Sequence, residues 1–254
     1  MKFMKRRSAY IIFFLTILGL WQYGGSKSSN IRLLISYPSL SISYFLENKI
    51  ILLTATMTTL FEACLGLLIA IFLASLLMVV CFYRPQIHSF ILPIIVSSQV
   101  IPLIVLAPFA ILLLGSGLSS KIFLASLISF FPIFINFSAG YRSIDKNIMH
   151  LLEIHNASTT FRIFRIYIPL SLPYIFAGLK ISSTLSVIGA IVAEFAGAEI
   201  GLGKNLLETS TRIEPELMIN SLVLSSLTGG ILYSSVFLIE RVFGGWYLQA
   251  NTDF

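Results

Sequence analysis

Apolar residues in this chain occur in long, nearly unbroken runs, without the three-to-four-residue spacing of a surface helix. A helix needs about 20 mainly apolar residues to cross about 30 Å of hydrocarbon. Six runs approach or exceed that length: residues 9–25, 56–82, 90–114, 122–141, 172–193 and 219–239. Polar punctuation separates them. Tyr83-Arg84-Pro85 ends the second, a turn starting at Gly115 follows the third, and Trp246 and Tyr247 stand just beyond the sixth. The pattern predicts an all-α polytopic membrane protein: six transmembrane helices in a single domain over residues 1–254. The first run follows Lys2, Lys5, Arg6 and Arg7, a basic start that also suits a signal peptide. No A-x-A-like cleavage site follows it, and Trp21 and Tyr23 sit where an interfacial belt would anchor a retained helix. It is therefore expected to remain as an uncleaved first span.

Composition agrees. Hydrophobic residues make up 57% and charged residues 11%, against about 25% charged in soluble domains. Such a chain is not a soluble enzyme, a disordered segment or a nucleic-acid-binding domain. The net charge of +6 reads as topology. With the N-terminus inside, the inner segments carry Lys2, Lys5, Arg6, Arg7, Arg84, Arg142, Lys146, Arg162, Arg165 and Arg241. The outer ones carry Lys27, Arg32, Lys49, Lys121, Lys204 and Arg212. Ten inside against six outside, with Lys180 of the fifth run set apart, puts both termini in the cytoplasm. Cys64 and Cys81 fall in one run, roughly 25 Å apart along a helix, too far to bridge.

One inner segment, residues 142–169, has more pattern than a linker. Ile148, Leu151, Leu152 and His155 recur at helical spacing, with Asp145 or Asn147 available as N-cap. Asn156 interrupts, and Phe161, Phe164 and Ile168 form a second apolar stripe beside Arg162 and Arg165. This predicts a helix, a turn and a helix. Spacing alone leaves two uses open: lying on the lipid surface, or docking another protein.

The same segment resembles the cytoplasmic loop of permease subunits of binding-protein-dependent ABC importers, written EAA-x3-G-x9-I-x-LP. Ile166, Ile168 and Pro169 match its end, while Asn156 stands at the glycine and His150 at the glutamate. Asn is the non-glycine residue best suited to a left-handed turn, and Glu153 lies one turn beyond His150. Further marks are similar to the branch importing sulfonates, taurine, nitrate and thiamine-pyrimidine precursors. They include Gln99-Val-Ile-Pro102, Phe131-Pro132-Ile133, Ala177-Gly-Leu-Lys180, Ala193-Glu194 and Gly201-Leu-Gly203. The resemblance implies a type I importer permease fold in a bacterial inner (plasma) membrane. It implies a homodimer working with a cytoplasmic ABC ATPase subunit and an extracytoplasmic solute-binding protein. It also assigns a coupling helix, with Leu151, Leu152, Glu153, His155, Asn156 and Ala157 meeting the ATPase. Glu62 before Ala-Cys-Leu-Gly66 looks more like the thiamine-precursor members than the sulfonate ones.

No catalytic chemistry is expected of this chain. Gly201-Leu-Gly203-Lys204-Asn205 lacks the first glycine (Ala198) and the Ser/Thr of a phosphate-binding loop. H-E-x-x-H and G-x-S-x-G are absent, and His88, His150 and His155 read as solvated or satisfied side chains. No cofactor or metal is expected, and no nucleic-acid partner. Within the runs, Gln99, Asn136, Ser182, Ser183, Ser186, Gly189 and Glu194 are candidates for a polar translocation path. Packing of small residues between helices is their alternative use, and Glu62 divides likewise between structure and transport. An ion-coupled secondary transporter and a membrane scaffold are the rival classes. The first predicts inverted repeats around a midplane ion site; the second leaves the polar faces idle.

Overall fold

In lipid, large apolar side chains gain nothing by turning inward, so close packing falls to small residues. The computed structural model, which describes residues 2–27 and 36–245 with the side chains of residues 2–12 and of Phe14 outside the description, has that inverted character. Ala63, Ala70, Ala74, Ala125, Thr59 and Ser182 are fully buried, whereas Phe72 is 66% exposed and Leu112 83% exposed.

Every regular element among the described residues is helical. In order they are α1 (Lys2–Lys27), α2 (Pro38–Glu47), α3 (Lys49–Tyr83), α4 (Pro85–Ser98), α5 (Leu103–Leu114), α6 (Leu118–Arg142), α7 (Lys146–Ile154), α8 (Thr159–Phe195), α9 (Leu202–Arg212) and α10 (Pro215–Phe243). Four of these, α3, α6, α8 and α10, are long and apolar enough to cross a bilayer, and α4 with α5 makes a fifth if counted as one broken span. The expected first span, residues 9–25, lies within α1 but partly outside the described side chains. The helices overrun the predicted runs: α3 has 35 residues and begins at Lys49, well before the apolar run starts.

The expected continuous third span, 90–114, needs correction. It is two helices meeting at 104° across Gln99–Pro102. Pro102 lacks an N–H and disfavours a helical residue before it. The chain instead tightens into i→i−3 bonds, Val100 N–H to Ser97 O and Ile101 N–H to Ser98 O. Hydrophobicity is indifferent to this break, so counting apolar residues passed over it.

α6 and α8 form the central pair. Ser182 and Ser129 exchange hydroxyl-to-carbonyl bonds across it, at 2.8 and 3.2 Å. Gly189 lies against Ala125, and Gly178 against Asn136 and the Pro132 carbonyl. α3 packs beside both, Gly66 meeting Ala125 and Ser126 of α6 and Thr59 bonding Glu194 of α8. α10 is tied to α8 by Lys180, whose Nζ is 2.9 Å from Glu240 of α10.

Candidate functional site

Two arrangements stand out at opposite ends of the bundle. The first is the segment after α6. Asp145 caps α7, accepting from Asn147 N–H at 2.8 Å. α7 stops at Asn156, whose φ of +48° is the left-handed conformation that Asn tolerates better than other non-glycine residues. Arg162 then reaches back, donating to Ala157 O at 2.8 Å and Leu152 O at 3.3 Å, satisfying carbonyls that a helix end leaves open. Ile144, Ile163 and Tyr167 are buried around Met149 and Phe82, and Tyr167 donates its hydroxyl to Met149 Sδ. The segment is thus a built unit seated on the bundle.

Its second half, Arg162–Tyr167, is π-helical. Pro169 cannot donate to Arg165 O, and the register shifts by one residue to recover a partner, Ile168 N–H reaching Ile163 O. Phe161 and Phe164 stand outward here, 50% and 62% exposed.

The assigned coupling residues separate here. Leu151, Glu153, His155 and Asn156 are exposed and Ala157 is half-buried, but Leu152 is buried within the chain's own fold. The outward apolar ridge is Leu151 with Ile154, 56% and 63% exposed. Ile154 was missed by the sequence pattern, which grouped Leu151 with Leu152 on one face. His150 and Glu153 stand 4.0 Å apart in the open.

The second arrangement is a buried polar knot where α3, α6, α8 and α9 meet. Glu194 accepts from Thr59 Oγ1 at 2.6 Å and from the Gly203 N–H, while Thr59 accepts from the Leu202 N–H at 3.0 Å. Lys121 lies 3.6 Å from Glu62, whose two carboxyl oxygens are buried without a hydrogen-bond partner. Glu62 and Glu194 are each 1% exposed and Lys121 is 9% exposed. Glu194 therefore seats the first turn of α9, where free N–H groups favour an anion. Gly201 and Gly203 are needed because a Cβ on either would strike the Glu194 carboxylate. Thr59 and Lys121 escaped the sequence reading. Lys121 lies in the first turn of α6, Glu194 in the last turn of α8 and Glu62 well inside α3, so no local signal joined them.

The remaining candidates do not gather around one cavity. Ser182, Ser183 and Ser186 are fully buried, their hydroxyls spent on Ser129, Lys180 and Ser183 carbonyls. Gly189 serves the α6–α8 seam. Asn136 donates to Pro132 O at 2.8 Å, whereas Gln99 stands exposed at the break between α4 and α5. Among the described residues no cluster of His, Cys, Asp and Glu has a metal-binding arrangement, and both cysteines are free.

The turn gives one direct test. Asn156→Gly should keep the fold and raise its thermal midpoint slightly, because glycine adopts φ > 0 without steric cost. Asn156→Val should lower it, since the left-handed conformation then stores roughly 1–3 kcal/mol of backbone strain. Equal midpoints for the two variants would remove the conformational argument.

The described residues form an all-helical bundle with four helices long and apolar enough to cross a bilayer and a structured loop at one end, the build of a multi-pass membrane protein. The chain belongs to the family of binding-protein-dependent transport system inner membrane components, matched over residues 66–247. It is 29% identical to a probable ABC transporter permease of Haemophilus influenzae, over 89% of this chain and 92% of that protein. It is 28% identical to the formylaminopyrimidine transport permease ThiX of Halalkalibacterium halodurans, over 92% and 94%. It is 24% identical to the putative aliphatic sulfonates transport permease SsuC of Bacillus subtilis, over 74% and 68%. It is accordingly an ABC importer permease, multi-pass in the inner membrane, of a family whose members are not themselves enzymes.

Proposed function

We propose that this chain forms the path of an importer for a small polar solute and couples its passage to ATP hydrolysis in a separate cytoplasmic subunit. A bilayer makes a polar solute costly to transfer, so the protein must replace its hydration. Two copies pair around that path, each with six spans and both termini cytoplasmic. A solute-binding protein delivers from outside. The ATPase seats on α7, and its closure moves the loop, which the buried Ile144–Ile163–Tyr167 cluster ties to α3 and α8. The observation that carries this reading is the exposed ridge of Leu151 and Ile154 on a capped helix outside the spans. A water-facing helix gains nothing from that ridge unless something covers it.

For substrate, we favour a thiamine-type aminopyrimidine precursor. ThiX aligns over nearly its whole length, and the Glu62-Ala-Cys-Leu-Gly66 sequence supports the same choice. Labelled formylaminopyrimidine should accumulate in cells expressing the chain with its ATPase and binding protein, and stop when the ATPase is deleted. Accumulation that persists without the ATPase would reject the importer reading. Displacement of the label by taurine or nitrate would reassign the substrate.

The orientation has its own test. A cysteine replacing Lys204, at the start of α9, should react with an impermeant thiol reagent applied outside. One replacing Thr159 should react only after the membrane is opened. Outside labelling at Thr159 would invert the topology and remove the ATPase from α7.

A further inference from the structure

The break between α4 and α5 lies deep in the bundle. A pocket beside it is walled by Leu127, Ile128 and Phe131, near the middle of the 25 residues of α6. Backbone groups are left open at this depth. Among the described residues the carbonyls of Gln99, Val100 and Ile101 accept no backbone hydrogen bond, and the N–H groups of Leu103 and Ile104 donate none. The Gln99 side chain is exposed, and its amide has no hydrogen-bond partner among them either. Irregular backbone does not face lipid in the hydrocarbon layer; it is tolerated where it is buried in protein or lines a water-filled cavity. This face of the protomer is therefore not a lipid face.

The pocket holds about 150 Å³ and opens on one side. A cavity of about that volume, lined by Leu, Ile and Phe, is known to accept benzene, and the walls here are of the same kind: Ile101, Leu127, Ile128, Phe131 and Leu185. Of the two polar side chains in the lining, Ser98 spends its hydroxyl on Ile95 O at 2.7 Å, which leaves Gln99. No charged side chain lines it. The C-terminus of α4 and the N-terminus of α5 meet there, and their end charges, opposite in sign, offset each other. An ion would leave water for this pocket without a counter-charge. We infer that the pocket takes the ring of a neutral planar heterocycle on its way through the membrane, with the polar edge of the ring on the Gln99 amide. The inference rests on the importer reading above and narrows it. A glutamine amide offers a donor beside an acceptor, the pairing by which it holds the edge of adenine. An aminopyrimidine presents the same amino group beside a ring nitrogen. Taurine and nitrate carry full charges and find no partner here.

The test uses the permease–ATPase complex in nanodiscs, without the binding protein, in a chain carrying Cys64→Ser, Cys81→Ser and Ile101→Cys. The thiolate is the reactive form, so labelling by N-ethylmaleimide reports water at the break. Formylaminopyrimidine at about four times its dissociation constant should slow that labelling about fivefold, and taurine or nitrate at the same concentration should not. Adding Gln99→Leu should weaken the protection about tenfold in concentration, and adding Ile128→Trp should abolish it by filling the pocket. Because Gln99 faces outward, its variant keeps the conclusion testable should Ile128→Trp fold poorly. Absence of labelling would mean that a second copy or lipid covers the break and would overturn the site. Labelling that formylaminopyrimidine leaves unchanged, or protection undiminished by Gln99→Leu, would overturn it too. Protection by taurine or nitrate would overturn the neutral class of ligand. Labelling is read without transport, so lost uptake beside normal protection would count against the importer reading alone.

Discussion

Replacing Leu151 and Ile154 together by aspartate should leave the chain inserted and folded but unable to hold its ATPase. Both side chains face outward, so the fold loses no packing. Covering each by a partner would contribute on the order of 1.5–3 kcal/mol, and placing a carboxylate in that contact adds a desolvation cost. Since about 1.4 kcal/mol is a factor of ten, the double variant should weaken association at least a hundredfold and stop uptake. Co-purification of the ATPase, alongside the variant's thermal midpoint, gives the measurement. Leu152→Asp is the contrasting control. Leu152 is buried, so that variant should lower the midpoint as well as lose the ATPase. Undiminished co-purification with Leu151 and Ile154 both changed would place the ATPase elsewhere.

The second large effect is expected at the other end of the molecule. Glu194→Ala should destabilise the protein by roughly 1–3 kcal/mol for each buried donor left without its acceptor. The Thr59 hydroxyl and the Gly203 N–H each lose the Glu194 acceptor. Damage should centre on α9, whose first turn is held by these contacts. Hydrogen exchange across residues 202–212 should rise in Glu194→Ala and less so in Glu194→Gln, which keeps one carbonyl acceptor. Exchange in α9 equal to that of the unaltered chain would mean the helix is held by packing alone. Gly203→Ala should resemble Glu194→Ala, because the added methyl meets the Glu194 side chain and the Ile191 carbonyl.

The sequence located these two regions unequally. Around α7 the signals are local: the Asp145 cap, the apolar spacing and the Asn156 turn all act within a few residues. What spacing could not supply was the inward choice of Leu152 over Leu151, because the apolar arc was wide enough to face either way. The knot is the opposite case. Thr59 lies 135 residues from Glu194 and 143 from Leu202, so no local pattern joins them. Gly201 and Gly203 stood out as a motif, and their reason, room for the Glu194 carboxylate, exists only in three dimensions.

By itself the sequence determined the solvent and the architecture class. Six apolar runs with 11% charged residues admit only a lipid surroundings and helices, since backbone groups in hydrocarbon must bond within their own segment. Tertiary structure decided where that rule bends and which polar groups are spent. The chain breaks at Gln99–Pro102 although its hydrophobicity is continuous, because a missing N–H is a backbone property that hydropathy does not record. Ser182, Ser183 and Ser186 share a polar face that suits a path equally well on paper. Contact with α6 and their own helix carbonyls puts all three hydroxyls inside the protomer, because small residues are what let two helices approach closely in lipid.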